Sequence, residues 1–173
     1  MATFYDQITA EQAELLRTAP LFFVASCDPE LADGPDGIGP VNLSPKGGVP
    51  LHLLDANTVA YLDHPGSGNA TSRHIGASPQ GGTPVTLMVC SFDEQAAIVR
   101  LYGRATVHGP GTPLFERLSD QQAEALGKPR QVICLSVART QTSCGYGVPL
   151  MDNPRDRRKD ERGRRYKQPP AQR

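Results

Sequence analysis

The sequence has no apolar run close to the roughly 20 residues that a membrane-spanning helix needs. Its first residues, Met-Ala-Thr-Phe-Tyr-Asp, have neither the basic start nor the apolar stretch of a signal peptide. The 18 basic and 18 acidic side chains cancel, so the chain carries no formal net charge. We therefore expect a cytoplasmic protein that has no membrane partner.

The four cysteines, at positions 27, 90, 134 and 144, form no Cys-x-x-Cys pair, and the sequence has no His-Glu-x-x-His motif. A structural zinc site and a metalloprotease are therefore not indicated, and we expect no metal. Cys27, Cys90 and Cys134 lie in or beside apolar runs, where a thiol behaves as a small hydrophobic group. We expect reduced core thiols.

Basic charge is concentrated at the C-terminus. Residues 152–173 carry nine Lys or Arg against four Asp or Glu, with Tyr166 as the one aromatic. Such a segment cannot bury enough apolar surface to fold alone. We predict one domain over residues 1–151 and a tail over 152–173 that is disordered or docks on a partner subunit. Acidic residues interrupt the basic run, so we do not expect nucleic-acid binding.

The pattern of apolar residues predicts a mainly β fold. The connections are too short for crossover helices, which favours an antiparallel sheet or barrel. Capping-box patterns at Thr9-x-x-Gln12 and Ser119-x-x-Gln122 predict helix starts. Strands are predicted at 21–26, 39–45, 58–63, 84–92, 97–108 and 131–138, helices at 10–18 and 113–118 with a further short piece after 119, and a polar loop at 28–40.

The segment Gly66-Ser-Gly-Asn-Ala-Thr-Ser-Arg-His-Ile75 follows the predicted strand 58–63. Its small residues allow main-chain N–H groups to approach an anion, and Arg73 and His74 add cationic donors, which suits a phosphate group. The same composition is typical of a glycine-rich turn that caps a helix starting near Thr71 or Ser72. Composition alone leaves both interpretations open.

Four motifs occur in the order of a known family. They are Val41-Asn-Leu-Ser-Pro-Lys-Gly47, Asn69-Ala-Thr-Ser-Arg-His74, Ile98-Val-Arg-Leu-Tyr-Gly-Arg-Ala105 and Cys144-Gly-Tyr-Gly-Val-Pro149. Together they resemble the pyridoxamine 5′-phosphate oxidase-like flavoproteins over roughly residues 10–150. The resemblance implies an FMN-binding split β-barrel of Greek-key, antiparallel type with short flanking helices. It also implies a homodimer that holds the cofactor between its subunits.

The resemblance further implies which residues meet the FMN. Arg73 would be the main phosphate partner, and the strand from Asn42 to Lys46 would pass along the flavin ring, with Lys46 near the N1–O2 side. Lys46 and Tyr146 are the catalytic candidates. The residues implied in cofactor binding are Asn42, Leu43, Ser44, Lys46, Asn69, Thr71, Ser72, Arg73 and His74.

Three departures from the family pattern define the expected function. Pyridoxamine phosphate oxidases carry a tryptophan in a C-terminal substrate segment, and this chain has no Trp, which argues against that oxidase reaction. Ile98 stands where the family has a flavin-contacting glutamine, and His74 stands where many members have lysine. We expect an FMN-dependent oxidoreductase that acts on an unknown small molecule by hydride transfer at flavin N5. A non-catalytic flavin or haem protein for storage or sensing, and an F420-dependent reductase, are the alternatives.

Overall fold

The computed structural model describes residues 1–27, 41–66, 69–77, 82–122, 127–157 and 161. The helices are α1 (Ala10–Thr18), α2 (Ala70–Ala77) and α3 (Pro113–Ser119). The strands are β1 (Thr3–Tyr5), β2 (Leu21–Cys27), β3 (Val41–Gly47), β4 (His52–Asp55), β5 (Thr58–Asp63), β6 (Thr83–Cys90), β7 (Ala97–His108) and β8 (Gln131–Cys144).

All eight strands belong to one antiparallel sheet. Its order is β3-β2-β6-β7-β8-β5-β4, and β1 pairs with β8 beside this path. In β2 the residues Phe22, Val24 and Ser26 are buried while their neighbours face outward, as the two-residue period of a strand requires. In β5 five consecutive residues are buried, because both sides of that strand are covered.

Two apolar clusters account for this burial. The larger one fills the concave side of the sheet, where Leu16 of α1 and Ile75 of α2 pack with inward residues such as Leu101. The smaller one lies on the opposite side of β5 and β8, where Phe115 and Leu118 of α3 cover that surface. α1 and α2 therefore pack on the inner side of the sheet and α3 packs on its outside.

The two ends of the strand order approach each other. Lys46 of β3 lies 3.6 Å from Asp63 of β5, measured from Nζ to Oδ1. Among the described residues no ladder joins β3 to β4 or β5, so the sheet curls into a barrel that is open along one line. We call this gap between β3 and β5 the seam.

Several predicted elements are confirmed. The helix over residues 10–18 forms with both hydrogen bonds of its capping box, between Thr9 and Gln12. The predicted strands at 58–63 and 97–108 have the observed bounds of β5 and β7. Among the described residues, none of the helices has the length and apolar character required to cross a bilayer.

Other bounds differ from the prediction. β3 runs to Gly47, two residues past the predicted end, while residues 39 and 40 lie outside the described ranges. β6 covers Thr83–Cys90 instead of 84–92, and β8 continues six residues past 138. Ser119 ends α3 and is followed by a turn, so the predicted capping box does not start a helix there; residues 123–126 lie outside the described ranges. The predicted loop at 28–40 is also outside them.

All four cysteines are free thiols. Cys90 is buried and Cys134 is half-buried, as expected for apolar positions. Cys27 is exposed, so the prediction of a core thiol was wrong there; it is the last residue of β2 and falls on the outward side of the alternation. The tail is described at residues 152–157 and 161, where Arg155 forms two hydrogen bonds with Glu161, of 2.6 and 2.7 Å. The domain boundary at 151 stays a prediction.

Candidate cofactor site

Helix α2 divides the predicted phosphate motif into an inner and an outer side. The main-chain N–H of Arg73 donates to the Asn69 carbonyl at 3.0 Å, which closes the first turn of the helix. Thr71 and His74 are three residues apart on the buried side, whereas Arg73 is exposed and Ser72 is half-buried. The motif therefore presents Arg73 and Ser72 outward and uses Thr71 and His74 for packing.

His74 holds α2 on the sheet. Its ring is fully buried, with Nδ1 2.9 Å from the Ser26 hydroxyl of β2. Its main-chain carbonyl accepts a hydrogen bond from Thr83 of β6 at 2.9 Å. The His74 ring is enclosed and its observed contacts hold the helix, and a direct contact of His74 with a phosphate stays a prediction.

The inward row of β3 contains three of the predicted flavin contacts. Asn42, Ser44 and Lys46 alternate with outward residues and are each half-buried. The Asn42 amide donates to the Thr71 hydroxyl at 3.0 Å, which joins this row to the start of α2. The Ser44 hydroxyl is buried without a hydrogen-bond partner in the described part of the chain. Buried polar atoms are normally satisfied, so this atom is a candidate ligand contact.

The main chain of β3 is also available on one side. β3 pairs with β2 alone among the described strands, so its second edge carries N–H and C=O groups without a strand partner. Leu43 belongs to the opposite row and its side chain is 65% exposed. A contact from Leu43 to a flavin would therefore use the main chain, as the resemblance implies. From Asn42 to Lys46 the strand spans roughly 13 Å, at about 3.3 Å per residue.

Lys46 ends the row opposite a carboxylate that the sequence analysis missed. Asp63 is buried, and its Oδ2 accepts hydrogen bonds from Arg130 and from the Gln131 amide, the latter at 2.8 Å. Its Oδ1 faces the Lys46 ammonium. The signal in the sequence is an acidic residue at the end of the apolar run 58–63, since a buried carboxylate needs cationic or hydrogen-bond donors.

Tyr61 forms the floor under Lys46. The ammonium nitrogen lies 5.9 Å from the centre of the Tyr61 ring, which packs edge-to-face against Phe22 at 5.2 Å. Burial, with the Asp63 carboxylate second, raises the pKa of the Tyr61 hydroxyl, so this group stays neutral. Lys46 makes no hydrogen bond to any residue in the described ranges, and its N–H groups can still donate to a ligand.

The other catalytic candidate is not brought to this row. Tyr146 lies in the loop after β8, and 90% of its surface is exposed. Ile98, at the position of the family glutamine, is half-buried on β7 between Cys90 and Ser143. In the ranges that the structure covers, no three His, Cys, Asp or Glu residues form a group that could hold a metal ion.

Comparison with known proteins places this geometry in a family. The model of the family described as pyridoxamine 5′-phosphate oxidase matches residues 8–144. The chain belongs to the pyridoxamine 5′-phosphate oxidase family. It is 33% identical to the pyridoxamine 5′-phosphate oxidase family protein ustO of Aspergillus flavus over 156 residues, which cover 88% of this chain and 58% of that protein. The chain thus spans somewhat more than half the length of this curated relative.

Solved structures in the same comparison share the fold of this family member. A single-residue variant of HupZ of Group A Streptococcus has a TM-score of 0.60 at 21% identity, covering 79% of this chain and 99% of that one. A pyridoxamine 5′-phosphate oxidase-related, FMN-binding protein of Nostoc punctiforme has a TM-score of 0.55 at 15% identity, covering 81% and 83%. The predicted fold class, a mainly antiparallel split β-barrel with short helices, is confirmed.

Proposed function

We propose that this protein is an FMN-dependent oxidoreductase whose cofactor lies along β3 with its phosphate at the start of α2. The observation that carries the proposal is the hydrogen bond between Asn42 and Thr71, which joins the row on β3 to the predicted phosphate motif. One continuous strip then leads from a helix start to the Lys46 ammonium, with the unpartnered Ser44 hydroxyl between them. This strip fits an extended ligand with an anion at one end.

At the phosphate end, the exposed side of α2 supplies the ligands. The Arg73 guanidinium can bind two phosphate oxygens at once, and the Ser72 hydroxyl lies beside it on the helix. Asn69 precedes the first turn, where helix N–H groups favour an anion. Thr71 contributes by fixing β3 to the helix, and His74 by fixing the helix to β2. We assign these last two residues to positioning.

At the ring end, the free main-chain edge of β3 from Asn42 to Ser44 can bond the polar rim of a flavin. When bound, FMN would supply two-electron chemistry at N5, where a hydride is accepted and the small molecule that donates the hydride is oxidised. Lys46 places a positive charge beside the ring and stabilises the negative charge gained there. No side chain of this row is needed as an acid or base.

The absorbance spectrum of the purified protein tests the cofactor. We expect flavin bands, and bands of a deazaflavin or of haem would instead identify F420 or haem. The name of the Nostoc punctiforme protein, which includes FMN binding, supports the first outcome. Reduction of the bound flavin by NADH or NADPH would support an oxidoreductase, whereas a flavin that no hydride donor reduces would support a storage or sensing protein.

The phosphate assignment is tested by Arg73→Ala. Removing a charge-assisted hydrogen-bond partner of the phosphate is expected to weaken FMN binding by about 2 kcal/mol, roughly a 30-fold rise in Kd. Fluorescence titration with FMN measures this change. Arg17→Ala is the control, because Arg17 lies on the exposed side of α1 in an ion pair with Glu14. Equal affinities of the two variants would contradict the assignment.

We also propose a homodimer in the cytoplasm. Four free cysteines suit a reducing compartment. A shallow depression on the convex side of the sheet would form the contact between two copies, since the exposed apolar side chain of Val41 lines it. We call it the outer face; its residues include Ala25, Cys27, Val41, Pro84, Thr86 and Tyr102.

A further inference from the structure

The ion pair between Lys46 and Asp63 connects two strands that share no ladder. Lys46 is on β3 and Asp63 ends β5, and their side chains are 17% and 7% exposed. A pair shielded to this degree from water interacts more strongly than a surface pair. It therefore determines the charge at the end of the proposed flavin strip.

The two oxygens of Asp63 have separate partners. Oδ2 accepts from Arg130 Nε at 3.2 Å, from Arg130 Nη2, and from Gln131 Nε2. The main chain adds a bond, because the Arg130 N–H donates to the Asp63 carbonyl at 2.8 Å. Asp63 is thus fixed without help from Lys46, and Oδ1 is left to face the ammonium at 3.6 Å.

The net charge of the side chains around Lys46 affects how readily a bound flavin is reduced. The group of Lys46, Asp63 and Arg130 carries a net charge of +1, because the carboxylate cancels one of the two cations. Oxidised FMN takes up two electrons and one proton to give the anionic reduced form, so any positive charge nearby favours reduction. A carboxylate beside Lys46 opposes part of this effect.

Resting on the proposed function, we propose that Asp63 is a positioning residue that holds Lys46 at the seam and lowers the reduction potential of the bound FMN by offsetting the charge of Lys46. Its partner Arg130 limits this effect by occupying Oδ2. The relevant quantity is the ratio of the affinity for reduced FMN to the affinity for oxidised FMN, which determines the shift in potential.

The test uses the FMN-loaded protein, reduced by dithionite in equilibrium with a reference dye. Asp63→Asn leaves two cations with a neutral amide, and the affinity ratio is expected to rise about tenfold, equivalent to about 30 mV for a two-electron couple. Glu14→Gln, the same change in the surface pair with Arg17, is expected to leave the ratio within threefold. An unchanged ratio in folded, FMN-bound Asp63→Asn would overturn the proposal.

Two further variants separate this role from a merely structural one. Lys46→Met alone is expected to lower the ratio, and adding Asp63→Asn is expected to raise it again, because the two opposite charges act on the flavin additively. Arg130→Met frees the carboxylate to act on Lys46, and the ratio is expected to fall about tenfold. Arg130 is partly exposed, so we expect Arg130→Met to fold. The proposal can then be tested even if Asp63→Asn does not fold. An unchanged ratio in Arg130→Met would count against the proposal.

The same measurements distinguish a failure of the Asp63 proposal from a failure of the proposed function. A wild-type chain that binds no FMN rejects the proposed function and this inference with it. A chain that binds and reduces FMN, with the same ratio in wild type and Asp63→Asn, rejects the role of Asp63 alone.

Discussion

At position 103 the close approach of two backbones requires glycine. Gly103 lies at the point where the register between β7 and β8 shifts, next to Tyr102. A β carbon at this position would overlap the main-chain oxygen of Ser136 on β8. The glycine in the family-like motif Ile98-Val-Arg-Leu-Tyr-Gly-Arg-Ala105 therefore has a packing reason in this chain, since a β-bulge here brings two backbones together.

We predict that Gly103→Ala lowers the free energy of unfolding by about 2 kcal/mol, the size expected when atoms are forced into a packed interior. Urea denaturation measures the loss. Gly109→Ala is the matched control, because its β carbon would have no neighbour within 4 Å. A loss no greater than that of the control would show that the bulge can relax.

Single residues of the site were predictable where local sequence carries the signal. The motif around Arg73 and the strand around Lys46 stand out by residue type, and the structure brings Asn42 and Thr71 together. Ser26 and Asp63 were missed, because their partners lie 48 and 67 residues away and depend on the register of the folded sheet. The burial of His74 likewise depends on which side of α2 meets β2.

At the scale of elements, two partly buried histidines have lowered pKa values, one on β4 and one directly after β5. His52 of β4 has its pKa lowered by burial first and by the positive charge of Arg117 of α3 second. His64, directly after β5, has its pKa lowered by burial, with the Asp63 carboxylate opposing that shift. Both groups bind protons more readily in the unfolded chain.

This difference predicts a fall in stability toward acid pH. Each depressed pKa contributes stability that is present above the unfolded value of 6.5 and is lost as the pH falls below it toward the folded value. Urea unfolding at pH 7.5 and 5.5 is expected to give a lower free energy at 5.5. Replacing both His52 and His64 by Gln should reduce that difference, and each single change should reduce part of it. An unaltered difference in the double variant would refute this origin.

The helices and strands that were predicted correctly are those with a strong apolar or capping pattern in their own sequence. β5 and β7 have strong apolar signals, and the capping box placed the start of α1. The extension of β8 past residue 138 is polar, with Thr140 and Thr142 paired to Leu101 and Val99 of β7. β1 and β4 were not predicted, because such short strands owe their structure to pairing with β8 and β5.

For the molecule as a whole, the seam and the outer face lie on two sides of the same edge of the sheet. β3 turns Asn42, Ser44 and Lys46 inward to the seam and turns Val41 and Leu43 outward. Val41 and Leu43 are 66% and 65% exposed, and they pair with Cys27 and Ala25 of β2. One edge strand thus carries both the proposed cofactor strip and an apolar surface that a second copy could cover.

We predict that the protein sediments as a dimer of the 18.6 kDa chain and that Val41→Glu converts it to a monomer. A carboxylate at position 41 of the outer face would have to be buried without a partner in the dimer, which strongly disfavours association. Thr18→Glu, on the exposed end of α1, is the control for added charge and should remain dimeric. Because the family resemblance implies that the cofactor lies between subunits, we expect Val41→Glu also to weaken FMN binding although its side chain faces away from the strip. A wild-type monomer, or a Val41→Glu dimer, would show that the outer face is not the contact between copies.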